Sequence, residues 1–165
     1  MKFYQKIAFE IHMEIHIPYE FKAMYKASRI SDDVQVPSEA DILSEDLVKL
    51  NENGKFHFIH RSFGEFFVAK CICETTFLNT KPEVRNETFE IFYEMIDEQT
   101  RFKGILAFID SALEKIDLLN LPSDIPRLPS SLFRRVEDLL ENDFMNLLKL
   151  LLVCELKFGH ETFFL

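Results

Sequence analysis

Between Leu47 and Lys70 the chain changes its hydrophobic period from two to about three and a half within a few residues, and this switch restricts the fold most. Asn51-Glu52-Asn53-Gly54 is a hairpin signal, because Asn-Gly accommodates positive φ angles at little cost. A short strand over Leu47–Leu50 precedes it, and Lys55-Phe56-His57-Phe58-Ile59-His60 returns. Alternation puts Phe56, Phe58 and His60 on one face of that strand and His57, Ile59 and Arg61 on the other. Ser62-Phe63-Gly64-Glu65 then has the form of a capping box. The serine oxygen would accept an amide of the first turn while Glu65 reaches back to the serine N–H. The spacing predicts a helix from Ser62 whose buried stripe is Phe63, Phe66, Phe67 and Cys71.

The flanking sequence reads as helical. Phe3, Ile7, Ala8 and Ile11 have helical spacing, although Phe9 to Ile17 alternates well enough for a strand; Pro18 stops either one, and a helix ending near His12 is expected. Tyr19–Ser28 and Ser38–Glu45 read as short helices separated by turn residues at 31–33. After the stretch 77–82, four amphipathic helices are expected over Glu83–Gln99, Arg101–Leu118, Ser130–Glu141 and Asp143–Phe158. A proline-bearing loop at 121–131 separates the second from the third. The predicted fold is therefore mainly α: a winged-helix-like subdomain with one small β-hairpin over 1–78, followed by a helical bundle over 79–165.

Charge and residue content narrow the possible functions. The chain has a net charge of −9 and no basic cluster longer than Arg134–Arg135, which argues against nucleic acid as a partner. Three cysteines form no disulfide-like framework, and no secretory leader is visible, so a reducing, cytoplasmic setting is expected. The longest apolar run, Leu147–Val153, is interrupted by Lys149 and is too short to span a bilayer, so no membrane role is expected.

Independent chemistry finds little support. A P-loop needs two glycines five apart followed by Lys and Ser or Thr, and Gly54, Gly64, Gly104 and Gly159 offer no such pair. His12 and His16 would share a face on a helix and also on a strand, but Met13 stands where a zincin has its glutamate, and two polar residues on a solvated face explain them more simply. Cys71 and Cys73 lie about 200° apart around a helix and do not converge on one ion. Ser62 lies close to His60 in sequence, but its capping role explains it and no acidic partner is placed by pattern. No catalytic or metal-binding residue is assigned, and the chain is expected not to be an enzyme.

Phe56, Phe58, Ile59, His60, Ser62, Phe63, Glu65, Phe66, Phe67 and Ala69 together match a specific pattern. The stretch resembles the end of the winged-helix domain of NACHT-type STAND NTPases, the class that includes NOD-like receptors of innate immunity. The resemblance covers residues 3–76, and residues 80–165 take the place of the helical domain that follows. It departs at Gly64, where the family commonly has Gln, and a glycine there costs the helix about 0.5–1 kcal/mol against alanine.

The resemblance implies a non-catalytic regulatory segment that packs on the NACHT nucleotide-binding domain and stabilises its ADP-bound closed state. It places on His60 the contact to the β-phosphate of ADP. The P-loop, acidic strand and sensor arginine that precede this domain in the family are missing, so a fragment of a longer protein is expected. ADP or ATP would then be held in the parent architecture, and the chain alone would carry no cofactor. The alternative is an independent all-helical protein-interaction module, a truncated paralogue that competes for a partner.

Overall fold

A computed structural model describes Tyr4, Gln5, Ile7, Ala8, residues 47–77, 82–121, Leu132 and 135–158. The short helices expected at 19–28 and 38–45, the pair His12 and His16, and most of the proline-bearing loop lie outside the described residues. Among the described residues the chain is mainly helical with one small two-stranded antiparallel hairpin. It divides into two compact units, Met1–Cys71 and Ile72–Leu165. That division falls inside a helix, seven residues before the composition change on which the sequence reading placed it.

In the first unit, β1 (Val48–Leu50) pairs with β2 (Phe56–Phe58), with Val48 opposite Phe58 and Leu50 opposite Phe56. The turn uses its glycine differently from the two-residue form that Asn-Gly suggests. Asn51 pairs with Lys55 through an N–H···O bond of 2.9 Å, and the Gly54 N–H returns to the Asn51 carbonyl at 2.9 Å. Only Gly54, at φ 69°, takes the left-handed region, so the loop is the three-residue type closed by a glycine bulge. The Asn51 side chain reinforces it, its Oδ1 accepting the Asn53 N–H at 3.0 Å and the Lys55 N–H at 2.9 Å.

Helix α1 (Arg61–Phe77) follows, and Phe67 organises the core of the first unit. Its ring stacks on Tyr4 at 5.4 Å and on Phe58 at 5.8 Å, joining the helical N-terminal residues and the hairpin to α1. Ile7, Ala8, Val48, Val68 and Ala69 complete the buried set.

The second unit contains α2 (Pro82–Asp97), α3 (Gln99–Leu113), a 3₁₀ turn (Leu118–Asn120), α4 (Val136–Glu141) and α5 (Met145–Phe158). Pro82 occupies the first position of α2, where its missing N–H costs nothing. Helix α3 ends at Leu113, earlier than the expected Leu118. The Lys115 and Ile116 amides bond back to Ala112 and Leu113 in a tightened turn, and Asp117 then caps the 3₁₀ turn through the Leu119 N–H at 3.1 Å.

Two devices set the α4–α5 corner. The Phe144 N–H bonds the Leu139 carbonyl at 2.9 Å and the Asp143 N–H bonds that of Leu140 at 3.1 Å, which is a Schellman closure. Asp143 supplies the left-handed residue at φ 58°, and buried Leu139 and Phe144 supply the apolar residues that accompany such a closure. Asp110 of α3 then takes the start of α5: its Oδ1 accepts the Asn146 and Leu147 N–H groups, both at 2.8 Å.

Candidate functional site

The hairpin–helix junction is built by the chain reversing at the end of β2. The Ile59 N–H still pairs with the Leu47 carbonyl at 3.0 Å, after which His60 leaves the ladder and Arg61 begins α1. A new helix has unsatisfied N–H groups in its first turn. His60 satisfies two of them: its Nδ1 accepts the Ser62 N–H at 3.2 Å, and its carbonyl accepts that of Phe63 at 3.1 Å.

His60 is therefore the N-cap, and the capping box expected at Ser62–Glu65 is not formed. The helix starts one residue before Ser62, so the serine lies inside the first turn. Its hydroxyl bonds His60 Nδ1 at 2.6 Å. Glu65 accepts the Arg61 Nε–H at 2.8 Å, a pair in which the guanidinium remains largely in water.

The expected buried stripe is divided. Phe67 and Cys71 are buried, whereas Phe63 is 37% exposed and Phe66 41% exposed. The reason is geometric: the aromatic partners Tyr4 and Phe58 lie against the Phe67 side of the helix. Ile59 is 42% exposed and His60 is also exposed. The His60 and Phe63 rings meet edge to face at 6.3 Å. The junction thus presents an imidazole among apolar side chains, outside the core.

Cys71, Cys73 and Cys154 are buried and form no disulfide. Among the described residues no group of three or more His, Cys, Asp and Glu is arranged to hold a metal ion, and no helix is long and apolar enough to cross a membrane. Two features of the second unit carry no local sequence signal. One is the buried pair Tyr93–Cys154, where desolvation first, and then the charge and hydrogen bond of the Cys154 thiol, push the Tyr93 phenol well above its ordinary value.

The other is an open polar cleft of about 530 Å³ lined by Asp97, Gln99, Arg101, Arg135, Asp138 and neighbouring residues. Arg135 bonds Asp97 at 2.9 Å and Asp138 at 3.4 Å, and Arg101 bonds Glu98 at 2.8 Å. Both guanidiniums are thus answered by carboxylates of the same unit, which leaves the cleft poorly suited to an anion. His60, by contrast, is an exposed imidazole beside the partly exposed Ile59 and Phe63. In comparisons with known protein families, curated proteins and solved structures, the chain matches none.

Proposed function

We propose that this chain is a non-catalytic regulatory segment of a NACHT-type signalling ATPase, which packs on the nucleotide-binding domain and stabilises its ADP-bound closed state. The observation that carries this reading is the exposed His60 held at the start of α1 and flanked by partly exposed Ile59, Phe63 and Phe66. Apolar side chains around a hydrogen-bond donor suit a surface that another domain covers, since the cover both removes them from water and strengthens the bond. ADP or ATP is then the ligand of the parent assembly, the segment works in the cytoplasm, and His60 supplies one contact to it.

A charge-assisted hydrogen bond to phosphate contributes about 1.5–3 kcal/mol. If it is made only in the closed state, it biases the closed–open equilibrium about 10- to 100-fold. The test has two arms. Titration of the 165-residue chain with ADP and ATP should give weak or no binding and no phosphate release, and tight binding with turnover overturns the reading. Coding sequence upstream should contain a P-loop; joined to that domain, His60→Ala should release ADP 10- to 100-fold more readily.

A second reading, an independent all-helical interaction module, draws on a different surface. Leu140, Met145 and Leu152 are 46%, 46% and 52% exposed, and Met145 and Leu152 lie two turns apart on α5. A natural start codon with its own promoter, and no upstream P-loop, would favour it.

A further inference from the structure

We infer that Ser62 is a positioning residue for His60: by bonding Nδ1 through both its backbone N–H and its hydroxyl, it fixes the imidazole as the Nε2–H tautomer, a donor toward a ligand that offers only acceptors. A neutral imidazole has one N–H and one bare nitrogen, and the bond made at one nitrogen decides the state of the other. A backbone N–H can only donate, so the 3.2 Å bond from Ser62 requires a lone pair on Nδ1. The hydroxyl, 2.6 Å from the same nitrogen, rotates to donate as well. With the proton on Nδ1 instead, the ring would donate to the hydroxyl but set its hydrogen against the Ser62 amide hydrogen. Two donors into Nδ1 leave the proton on Nε2.

No described residue bonds Nε2, and the edge contact with Phe63 at 6.3 Å helps hold the ring plane. The junction is therefore set to donate. It suits a phosphate oxygen and disfavours a ligand that must itself donate at that position. Only the identity of the ligand, a nucleotide phosphate, rests on the function proposed above; the tautomer and the role of Ser62 do not.

The test is a long-range ¹H–¹⁵N correlation spectrum of the imidazoles in the uniformly labelled 165-residue chain, in mildly alkaline buffer. His60 is assigned by the signal lost in His60→Gln. The wild type should show a pyridine-like Nδ1 and a pyrrole-like Nε2. In Ser62→Ala the two frequencies should move toward each other as the other tautomer gains population, and Ser62→Thr should restore the wild-type separation. A pyrrole-like Nδ1 in the wild type, or a Ser62→Ala spectrum equal to the wild type's, overturns the inference. If Ser62→Ala does not fold, the wild type and Ser62→Thr decide it, because a wild-type separation must appear in both. Failure of ADP to act on the parent protein would overturn the proposed function and leave these spectra unchanged.

Discussion

Replacing Asp110 by alanine should destabilise the second unit by about 2–3 kcal/mol, although Asp110 is neither fully buried nor part of an apolar core. Its carboxylate sits where α5 begins and replaces the missing intrahelical partners of that helix. Oδ1 receives two backbone N–H groups at 2.8 Å, and Oδ2 receives the Asn146 side-chain amide at 3.3 Å. The Asp110 carbonyl takes the same amide at 3.1 Å. A lost N-cap costs about 0.5–2 kcal/mol and a hydrogen bond to a charged group contributes about 1.5–3 kcal/mol. The bonds share one carboxylate and do not add, so the total stays near the upper end of one such bond.

Asp110→Asn keeps an acceptor oxygen and loses the charge that complements the helix dipole, which should cost about 1 kcal/mol. Urea unfolding followed by far-UV circular dichroism measures both. With a denaturant slope of about 2 kcal/mol per molar, the alanine midpoint should fall by roughly 1 M. Asn146→Ala should couple to Asp110→Ala in a double-mutant cycle, because the two side chains bond each other. A loss below about 0.5 kcal/mol for Asp110→Ala, or no coupling to Asn146, would refute the assignment of this carboxylate as the cap of α5.

Asp143→Gly should stabilise the chain by about 1 kcal/mol, seen as a higher thermal midpoint, because a left-handed φ of 58° at the Schellman position suits glycine better. His60→Ala should cost about 1 kcal/mol of stability through loss of the cap, whereas His60→Asn should keep most of it, asparagine being a good N-cap; equal losses in urea unfolding would remove His60 from that role. Tyr93 should make the chain unstable in alkali. Its folded phenol is held above the ordinary value of 10.0, so above about pH 10 the unfolded state loses a proton that the folded state keeps, and stability falls as pH rises. Tyr93→Phe should flatten that alkaline slope in pH-dependent unfolding, and an unchanged slope would contradict it.

Local chemistry made the hairpin legible. Asn51–Gly54 marked the turn and the alternation of Phe56 and Phe58 marked the strand, and both lie within a few residues of what they form. The end of α3 was not legible, since Leu113, Ile116 and Leu118 continue an apolar spacing that the chain abandons once Asp117 caps a new turn. The hold of Asp110 on α5 was invisible for another reason. Donor and acceptor stand 36 residues apart, and an aspartate midway along a helix looks like any solvated carboxylate. The cap of α1 was misplaced by two residues, from His60 to Ser62. Serine is the better-known cap, but the helix begins at Arg61, and the side chain one residue before it is His60.

The division of the phenylalanine stripe bears most directly on function. Phe63, Phe66 and Phe67 are equally apolar, and a helical period counts all three as turned away from water. The period reports only that a residue is suited to burial, not which molecule buries it. Among the described residues the Phe67 ring meets Tyr4, Phe58 and Phe66 and is buried, while Phe63 and Phe66 themselves keep 37% and 41% of their surface exposed. Isolated exposed apolar side chains are ordinary on protein surfaces. Here two aromatic rings and Ile59 occur on either side of a histidine whose Nδ1 is already occupied by its own helix. An interior that needed only packing would not require a donor held in one orientation, and a solvated helix start would not require the rings. The combination has a physical use when a second surface brings both a hydrophobic cover and a hydrogen-bond acceptor.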